Sequence, residues 1–206
     1  MKPKRPYHHG NLRPELLQAA LKVLGKVGPR GFTLREVARE AKVSHNAPYR
    51  HFRDKDELLS AISAEGFERL ADAMIGEASR GGNALEALLL TGRAYVRFAL
   101  RWPEHFSAMF DYRQDLTAYP AYAVSGRRAF HALLDRIIAA QQSGQLPAGD
   151  SNRFALTAWS LVHGIAKLAV AGHLPFESEE AILDFTDFAT RAQADGWTKL
   201  RPAAAV

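Results

Sequence analysis

The segment 33–52, TLREVAREAKVSHNAPYRHF, constrains the fold of this chain more than any other stretch. Thr33 and Glu36 match the capping box, in which the threonine hydroxyl accepts a hydrogen bond from the third helical amide and the glutamate reaches back to the cap. Ser44 is placed to cap a second helix after a turn of about three residues. The segment therefore predicts two short helices joined by a tight turn.

The predicted second helix offers polar and aromatic side chains, while Phe52 remains as its apolar anchor. Its polar and aromatic set consists of His45, Asn46, Tyr49, Arg50 and His51. Such a set on the second helix of the pair is typical of an element that enters the major groove of DNA. The segment indicates a helix-turn-helix, and double-stranded DNA is the predicted partner.

Positive charge is concentrated at the N-terminal end of the chain. Residues 1–55 hold 13 Lys+Arg and 4 Asp+Glu, a formal charge of +9, and residues 56–206 hold the remaining 14 and 18, a formal charge of −4. A basic end favours binding to nucleic acid, because each neutralised phosphate releases condensed counterions. A solvated basic surface without a partner is the alternative interpretation.

Residues 1–10 are too short and too rich in proline to pack, and we expect a flexible basic arm. Lys2, Lys4 and Arg5 are its charged residues. Basic arms reach into the minor groove or along the DNA backbone, and a frayed terminus is the alternative. His8 and His9 have no further ligand nearby at metal-site spacing, so no metal site is predicted.

The rest of the chain shows helical periodicity and no sustained strand alternation, which predicts an all-α protein of about nine helices. The predicted caps begin with Asn11, and a regular first helix ends at Gly28. The other caps are Asp54, Asn83, Asp150 or Ser151, and Ser178. The expected domains are the helix-turn-helix over residues 11–55, a larger helical domain over 56–196 and a frayed tail over 197–206.

Several classes of protein are disfavoured by what the sequence lacks. It contains no cysteine, which removes disulfides, thiolate metal sites and cysteine nucleophiles. It has no signal peptide and no apolar run of roughly 18 residues, so we expect a cytoplasmic protein without a membrane span. It has no HExxH, phosphate loop, nucleophile elbow or paired carboxylates, so an enzyme is the least supported reading and no cofactor is predicted.

Residues 11–59 resemble the DNA-binding domain of the tetracycline-repressor (TetR) family of bacterial regulators, through GFTLREVAREAKVSHNAPYRHFRDKDELL. The stretches PEHFSAMF and WSLVHGIAKL are similar to the ligand-sensing domain of one subgroup, named for a Trp, His and Gly that match Trp159, His163 and Gly164. The resemblance implies a DNA-binding regulator, a repressor released from its operator by a small-molecule effector. An effector-independent or architectural DNA-binding protein is the alternative, and a ligand-sized cavity would discriminate between the two.

The resemblance also implies roles for single residues. The positions that match phosphate contacts are Thr33, Tyr49, His51 and Lys55, whereas His45, Asn46 and Arg50 are placed to reach base edges. Pro48 departs from the family pattern, which more often has a helix-compatible apolar residue there. Because proline deletes a backbone bond and crowds the Ser44 carbonyl, we expect the second helix to be tightened or rotated.

The larger domain is expected to hold the effector and to form a homodimer. Aromatic residues at helical spacing are usually core, but a cavity lined by aromatic rings and a few polar groups is a common ligand site. The candidates are Phe67, Arg97, Phe98, Trp102, His105, Phe106, Phe110, Tyr122, Phe130, His131, Trp159 and His163. By resemblance the last two long helices form the dimer interface, with Leu161, Leu168, Ile182, Phe185 and Phe188 as candidates.

Overall fold

The computed structural model of the protein describes residues 12–112 and 118–199. Within these residues the chain forms eight α-helices and one 3₁₀ turn, without a strand. The helices are α1 (Leu12–Gly31), α2 (Leu34–Glu40), α3 (Lys55–Ala78), α4 (Ala84–Arg101), α5 (Pro103–Phe110), α6 (Pro120–Gln142), α7 (Ser151–Val170) and α8 (Glu179–Thr198), and the 3₁₀ turn is Pro48–Arg50. The predicted all-α class is confirmed.

The predicted caps that fall on described residues are present, with the exception of Ser44. Thr33 accepts the amide of Glu36 at 3.3 Å, as an N-cap does, and the return contact of Glu36 is to the threonine hydroxyl, which donates to its carboxylate at 2.9 Å. Asp54, Asn83, Asp150 and Ser178 each accept a backbone amide of the helix that follows. Asn11, predicted to cap the first helix, lies outside the described residues, as do Lys2, Lys4 and Arg5.

Two predicted boundaries need comment. Gly28 interrupts α1 with φ 66° and ψ 174°, so the regular helix ends there and Pro29 begins a last separate turn. The tail was predicted to fray from Trp197, but α8 continues to Thr198 and the Trp197 side chain is only 8% exposed. Its indole packs edge-on against Phe154 with the ring centroids 5.0 Å apart. A contact across the chain thus extends α8 beyond Gly196.

The second helix of the predicted pair is shorter than expected. After α2, residues 41–47 form turns, and the only regular element before α3 is the 3₁₀ turn Pro48–Arg50. The Ser44 carbonyl accepts the Ala47 amide, because the nitrogen of Pro48 has no hydrogen to give it. The prediction of an α-helix capped by Ser44 is therefore wrong, and the expected tightening at Pro48 takes the form of 3₁₀ geometry.

The helices pack around three hydrophobic clusters. One joins α1, α2 and the start of α3 and contains Leu16, Val37, Phe52 and Leu58. The other two lie among α3, α4, α6, α7 and α8. The first half of α3 belongs to the N-terminal cluster and its second half to the larger one, so α3 connects the two parts of the molecule.

Candidate nucleic-acid interface and ligand cavity

The turn after α2 is built on an unusual residue. Lys42 adopts φ 57°, the one positive φ among the described residues other than glycine. The Lys42 amide donates to the Arg39 carbonyl at 3.2 Å and the Val43 amide to the Ala38 carbonyl at 3.0 Å. These two bonds form a Schellman motif, in which glycine is the usual residue at the left-handed position. The motif ends α2 and turns the chain toward the following segment.

Residues 44–52, here called the recognition segment, separate anchoring from exposed side chains. Ala47, Pro48 and Phe52 are buried, and Phe52 belongs to the N-terminal cluster. The five predicted DNA contacts of this segment are all exposed: His45, Asn46, Tyr49, Arg50 and His51. The segment presents polar side chains to solvent while three apolar residues fix it to the domain.

Three of these side chains border one surface concavity together with Arg35. His45, Asn46, Tyr49 and Arg35 line it, and Arg35 stands in the first turn of α2. Arg35 is exposed and has no ion pair within the described chain. Sequence reasoning missed it, although its position two residues after the Thr33 cap was a usable signal. Arg50 and His51 are exposed beside this concavity without lining it.

The two outer phosphate candidates differ in their surroundings. The Thr33 hydroxyl already bonds to Glu36 as both donor and acceptor. Lys55, the first residue of α3, holds its ammonium 5.1 Å from the centre of the Tyr112 ring, a cation–π distance. Lys55 is thus an oriented cation at a helix N-terminus, whereas the threonine hydroxyl is committed to its cap.

A cavity of about 520 Å³ opens in the larger domain between α3, α4, α6, α7 and the end of α5. This volume lies within the range of small-molecule sites. Five of the predicted ligand residues line it, namely Phe67, Phe110, Tyr122, Phe130 and Trp159. The other lining residues are Leu70, Met74, Tyr95, Ala123, Gly126, Arg127, Ala129, Leu133 and Leu156. Its wall is mainly aromatic and aliphatic.

The polar groups in this wall bond to one another. The Trp159 indole donates to the Tyr95 hydroxyl at 3.1 Å, and that hydroxyl lies 2.9 Å from Nδ1 of His163. The indole can only donate, so the tyrosine hydroxyl accepts its proton, and the direction of the second bond, between the hydroxyl and Nδ1, follows the tautomer of His163. Burial raises the pKa of Tyr95 far above its usual value, so the hydroxyl keeps its proton. His163 is absent from the wall but orients two residues that form it.

The remaining predicted cavity residues lie elsewhere. Phe98 and Phe106 are buried in the core, and Trp102 packs on Phe98 with centroids 5.4 Å apart. Arg97 pairs with Glu77 at 3.2 Å and with Glu179 at 3.9 Å. His131 is exposed on an outer groove, and His105 is buried against α3. Helical spacing did not indicate which interior positions border a void, and it did not separate the exposed His131 from the buried aromatic residues.

His105 is buried without a hydrogen-bond partner for Nε2 among the described residues. The carboxylate of Glu65 lies 3.8 Å from that nitrogen. Burial lowers the pKa of His105, and nearby Arg69 acts in the same direction, while Glu65 and Glu104 oppose it. Burial likewise lowers the pKa of His163, assisted by Lys167 and opposed by Asp111.

Two tyrosines connect the cavity end of α5 and α6 to the start of α3. Tyr112, two residues after the cavity residue Phe110, donates its hydroxyl to Asp56 at 2.8 Å. Tyr119, three residues before the cavity residue Tyr122, donates to the cap Asp54 at 2.9 Å.

On its other side α5 contributes Ala108 to the N-terminal cluster. A displacement of α5 or of the start of α6 would therefore reach Lys55.

Several apolar side chains remain exposed on α7 and α8. Leu168 is 46% exposed and Phe188 is 71% exposed. Leu161 and Phe185 are half-buried, and Ile182 is buried in the core of the single chain. Of the five interface candidates, Leu168 and Phe188 thus present the most surface, whereas Ile182 presents almost none.

The described residues contain neither a group of metal ligands nor a helix that could cross a membrane. Over residues 12–112 and 118–199, no three His, Asp or Glu side chains converge as metal ligands would. None of the helices in these ranges combines the length and apolar character that a membrane crossing requires.

Comparisons with known proteins match both parts of the chain. Residues 16–62 match the family model of bacterial regulatory proteins of the tetR family. Residues 88–191 match a tetracyclin repressor-like C-terminal domain. An HTH-type transcriptional repressor of Mycobacterium tuberculosis, Rv3405c, is 28% identical over 109 residues, which cover 48% of this chain and 58% of that protein. The match thus spans little more than half the length of this curated relative.

Solved structures match over nearly the whole length. A protein of unknown function from Rhodococcus sp. RHA1 is 34% identical, with a TM-score of 0.77 and coverage of 95% of this chain and 98% of that one. The regulator FadR from Bacillus subtilis, solved in complex with stearoyl-CoA, is 15% identical, with a TM-score of 0.75 and coverage of 89% and 98%. At that identity the likeness to FadR shows a shared fold only.

Proposed function

This chain belongs to the tetR family of bacterial regulatory proteins, and from that premise we propose that it is a sequence-specific DNA-binding transcriptional repressor released from its operator by a small-molecule effector. The observation that carries the proposal is the pairing of an exposed polar recognition segment with a ligand-sized cavity. The two are joined through α5 and the start of α3. An architectural protein without an effector would have no use for such a cavity.

DNA binding is proposed to divide between two sets of residues. Tyr49, His51 and Lys55, with the start of α2 at Thr33, hold phosphates and position the protein. His45, Asn46 and Arg50 face the base edges, where arginine suits guanine and asparagine suits adenine. The exposure of the polar side chains of the recognition segment supports this division, and Arg35 extends the same surface. Lys2, Lys4 and Arg5 are proposed to add contacts to the minor groove or backbone.

Release requires that the effector bind one conformation more tightly than the other. A ligand between Phe110 and Tyr122 touches α5 and α6 at the ends that Tyr112 and Tyr119 tie to the start of α3. Movement there would displace Lys55 and the N-terminal domain relative to the larger domain. In a dimer, such displacement changes the distance between the two recognition segments and their fit to successive grooves.

The chain is further proposed to belong to the subgroup named for Trp, His and Gly, through Trp159, His163 and Gly164. The hydrogen-bonded set of Trp159, Tyr95 and His163 supports this assignment, because the Tyr95 hydroxyl links Trp159 to His163 beside the cavity. FadR from Bacillus subtilis, whose structure holds stearoyl-CoA, offers a precedent for a ligand in a similar fold.

A homodimer is proposed to form through α7 and α8. The exposure of Leu168 and Phe188 on these helices supports it, because large apolar side chains concentrated on one surface usually mark an interface. The half-buried Leu161 and Phe185 stand seven and three residues away along the same helices, which is the spacing of a shared helical face.

Operator binding tests the proposal. Footprinting on the DNA that flanks the gene of this protein should give an operator with two half-sites about 34–36 Å apart. On that operator, Arg50→Ala should weaken binding and relax the preference at one base position. Lys55→Ala should weaken all sequences alike and flatten the salt dependence by about one unit.

Arg80→Ala, at an exposed position just after α3, is the matched control and should change neither property. Unchanged binding by both Arg50→Ala and Lys55→Ala would contradict the docking. A footprint that no small molecule of any class relieves would favour the effector-independent alternative.

A further inference from the structure

One arginine belongs to two concavities at once. Arg127 lines the cavity and also lines an outer groove of about 450 Å³ on the surface of α6. The groove is bordered by Ile75, Arg127, Arg128, His131, Ala132, Asp135 and Arg136. Arg127, an exposed residue of α6, therefore stands where the apolar cavity meets the charged groove.

The charge of Arg127 is unmatched, in contrast to that of its neighbour. Arg128 bonds to Glu68 at 2.7 Å and to Asp72 at 2.6 Å, which fixes α6 to α3. Neither Arg127 nor Arg136 has a carboxylate partner within residues 12–112 and 118–199. Asp135 is the one acidic residue that borders the groove, and with Arg128 already paired it stands against Arg127 and Arg136. Arg127 thus keeps its charge without an ion-pair partner among the described residues.

The other polar side chains in the cavity wall already have hydrogen-bond partners. Its hydrogen-bond donors are used internally: the Trp159 indole and Tyr95 hydroxyl within their network, and the Tyr122 hydroxyl on the Met109 carbonyl at 3.3 Å. Among the described lining side chains, only the guanidinium of Arg127 keeps uncommitted donors. Since a guanidinium carries five N–H donors and a fixed charge, it suits a carboxylate or phosphate.

We propose that the effector is an amphipathic anion, whose apolar chain fills the cavity and whose carboxylate or phosphate lies on Arg127. A phosphorylated head would extend into the outer groove toward Arg136. This inference rests on the proposed function for its regulatory meaning, but the binding it describes is independent of DNA. It excludes cationic and neutral amphiphiles as preferred ligands.

A homologous series of ligands tests the proposal directly. Laurate, dodecyl phosphate, lauroyl-coenzyme A, dodecanol and dodecylamine share one chain and differ in the head. Of the three tryptophans of the chain, Trp159 lines the cavity, so its fluorescence reports entry of each ligand below the concentration at which micelles form. We expect the anionic ligands to bind at least about tenfold more tightly than dodecanol, since hydrogen bonds to charged groups are the strong ones.

Variants locate the head. Arg127→Ala should remove the preference for anions and leave the affinity for dodecanol unchanged, and Arg127→Lys should restore part of it. Arg80→Ala, which borders neither concavity, is the control arginine. If lauroyl-coenzyme A binds best and Arg136→Ala weakens it alone, the natural head is phosphorylated. If laurate binds equally well and Arg136→Ala has no effect, the head is a carboxylate. Circular dichroism melts of each variant verify folding.

The outcomes separate the ligand class from the function. Equal binding of dodecanol, dodecylamine and laurate, or an anion preference that survives in Arg127→Ala, would overturn the proposal. Anions that bind as expected but never release the operator would leave the ligand class standing and contradict the proposed regulation. Release of the operator by a neutral or cationic compound, with no effect from the anions, would support the proposed regulation and overturn the proposed ligand class.

Discussion

The ammonium of Lys55 lies 5.1 Å from the centre of the Tyr112 ring, and Tyr112 is only two residues from Phe110 in the cavity wall. A proposed phosphate contact is therefore held by a residue next to the proposed ligand site. The Tyr112 hydroxyl also bonds to Asp56, the neighbour of Lys55. Tyr112, which follows α5, thus contacts two residues at the start of α3: its ring lies beside the Lys55 ammonium and its hydroxyl bonds to Asp56.

This relationship predicts non-additive effects on DNA binding. Tyr112→Ala should lower operator affinity roughly two- to fivefold, because an exposed cation–π contact contributes about 0.5–1 kcal/mol to the orientation of Lys55. In Lys55→Ala the tyrosine has no cation left to orient. The double variant should therefore lose less than the sum of the two, as measured by fluorescence anisotropy in a double-mutant cycle. Strict additivity would show that Tyr112 does not act through Lys55.

The left-handed Lys42 predicts that glycine stabilises the turn. A left-handed conformation costs a residue other than glycine about 1–2 kcal/mol. Glycine avoids this cost, but it loses about 0.5–1 kcal/mol more in conformational entropy on folding. Lys42→Gly should accordingly raise the free energy of unfolding by about 0.5–1 kcal/mol in urea denaturation. Lys42→Ala removes the charge but keeps the strained φ, so an equal gain from alanine would assign the effect to charge.

Gly126 offers a way to fill the cavity without disturbing the fold. A Cβ at this position would meet only the Phe67 ring, at 3.8 Å, an ordinary contact distance. Gly126→Leu should weaken the binding of laurate or dodecyl phosphate at least about tenfold, since its side chain occupies the ligand volume.

Gly76→Leu, on an exposed face of α3 with no neighbour within 4 Å, is the matched control. Both substitutions should stabilise their helices by roughly 0.5–1 kcal/mol through helix propensity. Retention of full ligand binding in Gly126→Leu would place the ligand elsewhere.

Phe188 is expected to anchor the dimer. Burying an aspartate in its place would leave a charge without a partner, so Phe188→Asp should raise the dimer dissociation constant by tenfold or more in sedimentation velocity. Val124→Asp, at another exposed apolar position on α6, should leave it unchanged. A Phe188→Asp protein that sediments as the wild type does would exclude this surface.

The buried histidines predict a loss of stability in acid. Because burial lowers the pKa of His105 and of His163, the unfolded chain binds more protons than the folded one below the ordinary histidine pKa of 6.5. Their contribution is therefore complete above pH 6.5 and is lost as the pH falls through the folded pKa. The slope for each histidine is at most about 1.4 kcal/mol per pH unit.

Thermal melts of His105→Leu between pH 5 and 7 should accordingly show a flatter profile than those of the wild type. His131→Gln, at an exposed position, is the control. Parallel profiles for His105→Leu and the wild type would mean that His105 does not carry the effect.

Local chemistry made much of the fold predictable. The side chains of Thr33, Asp54, Asn83 and Ser178 bond to amides close in sequence, so short motifs reveal the caps. Trp197 was missed because its burial depends on Phe154, which is distant along the chain. The recognition segment was predicted to form an α-helix, because most of its residues are compatible with one. It forms only a 3₁₀ turn, since the nitrogen of Pro48 has no hydrogen to donate.

The cavity was predictable in composition but not in outline. Periodicity places Phe106 and Phe110 on the inner side of α5, yet one is packed into the core and the other faces the void. That difference depends on how closely α6 and α7 approach, which no spacing along one helix encodes. Arg127 was overlooked for the same reason, because it is one of two adjacent arginines and only the fold pairs Arg128 with α3.

Within the recognition segment, the residues that anchor it to the domain differ from the proposed DNA contacts. Ala47, Pro48 and Phe52 hold the segment in place, and the exposed positions between them contribute little to stability. Exposed substitutions of this kind usually cost within about 0.5 kcal/mol. The proposed base contacts His45, Asn46 and Arg50 can therefore change in descendants of this chain without compensating mutations, so under the proposed function the fold leaves the DNA preference open to rapid divergence.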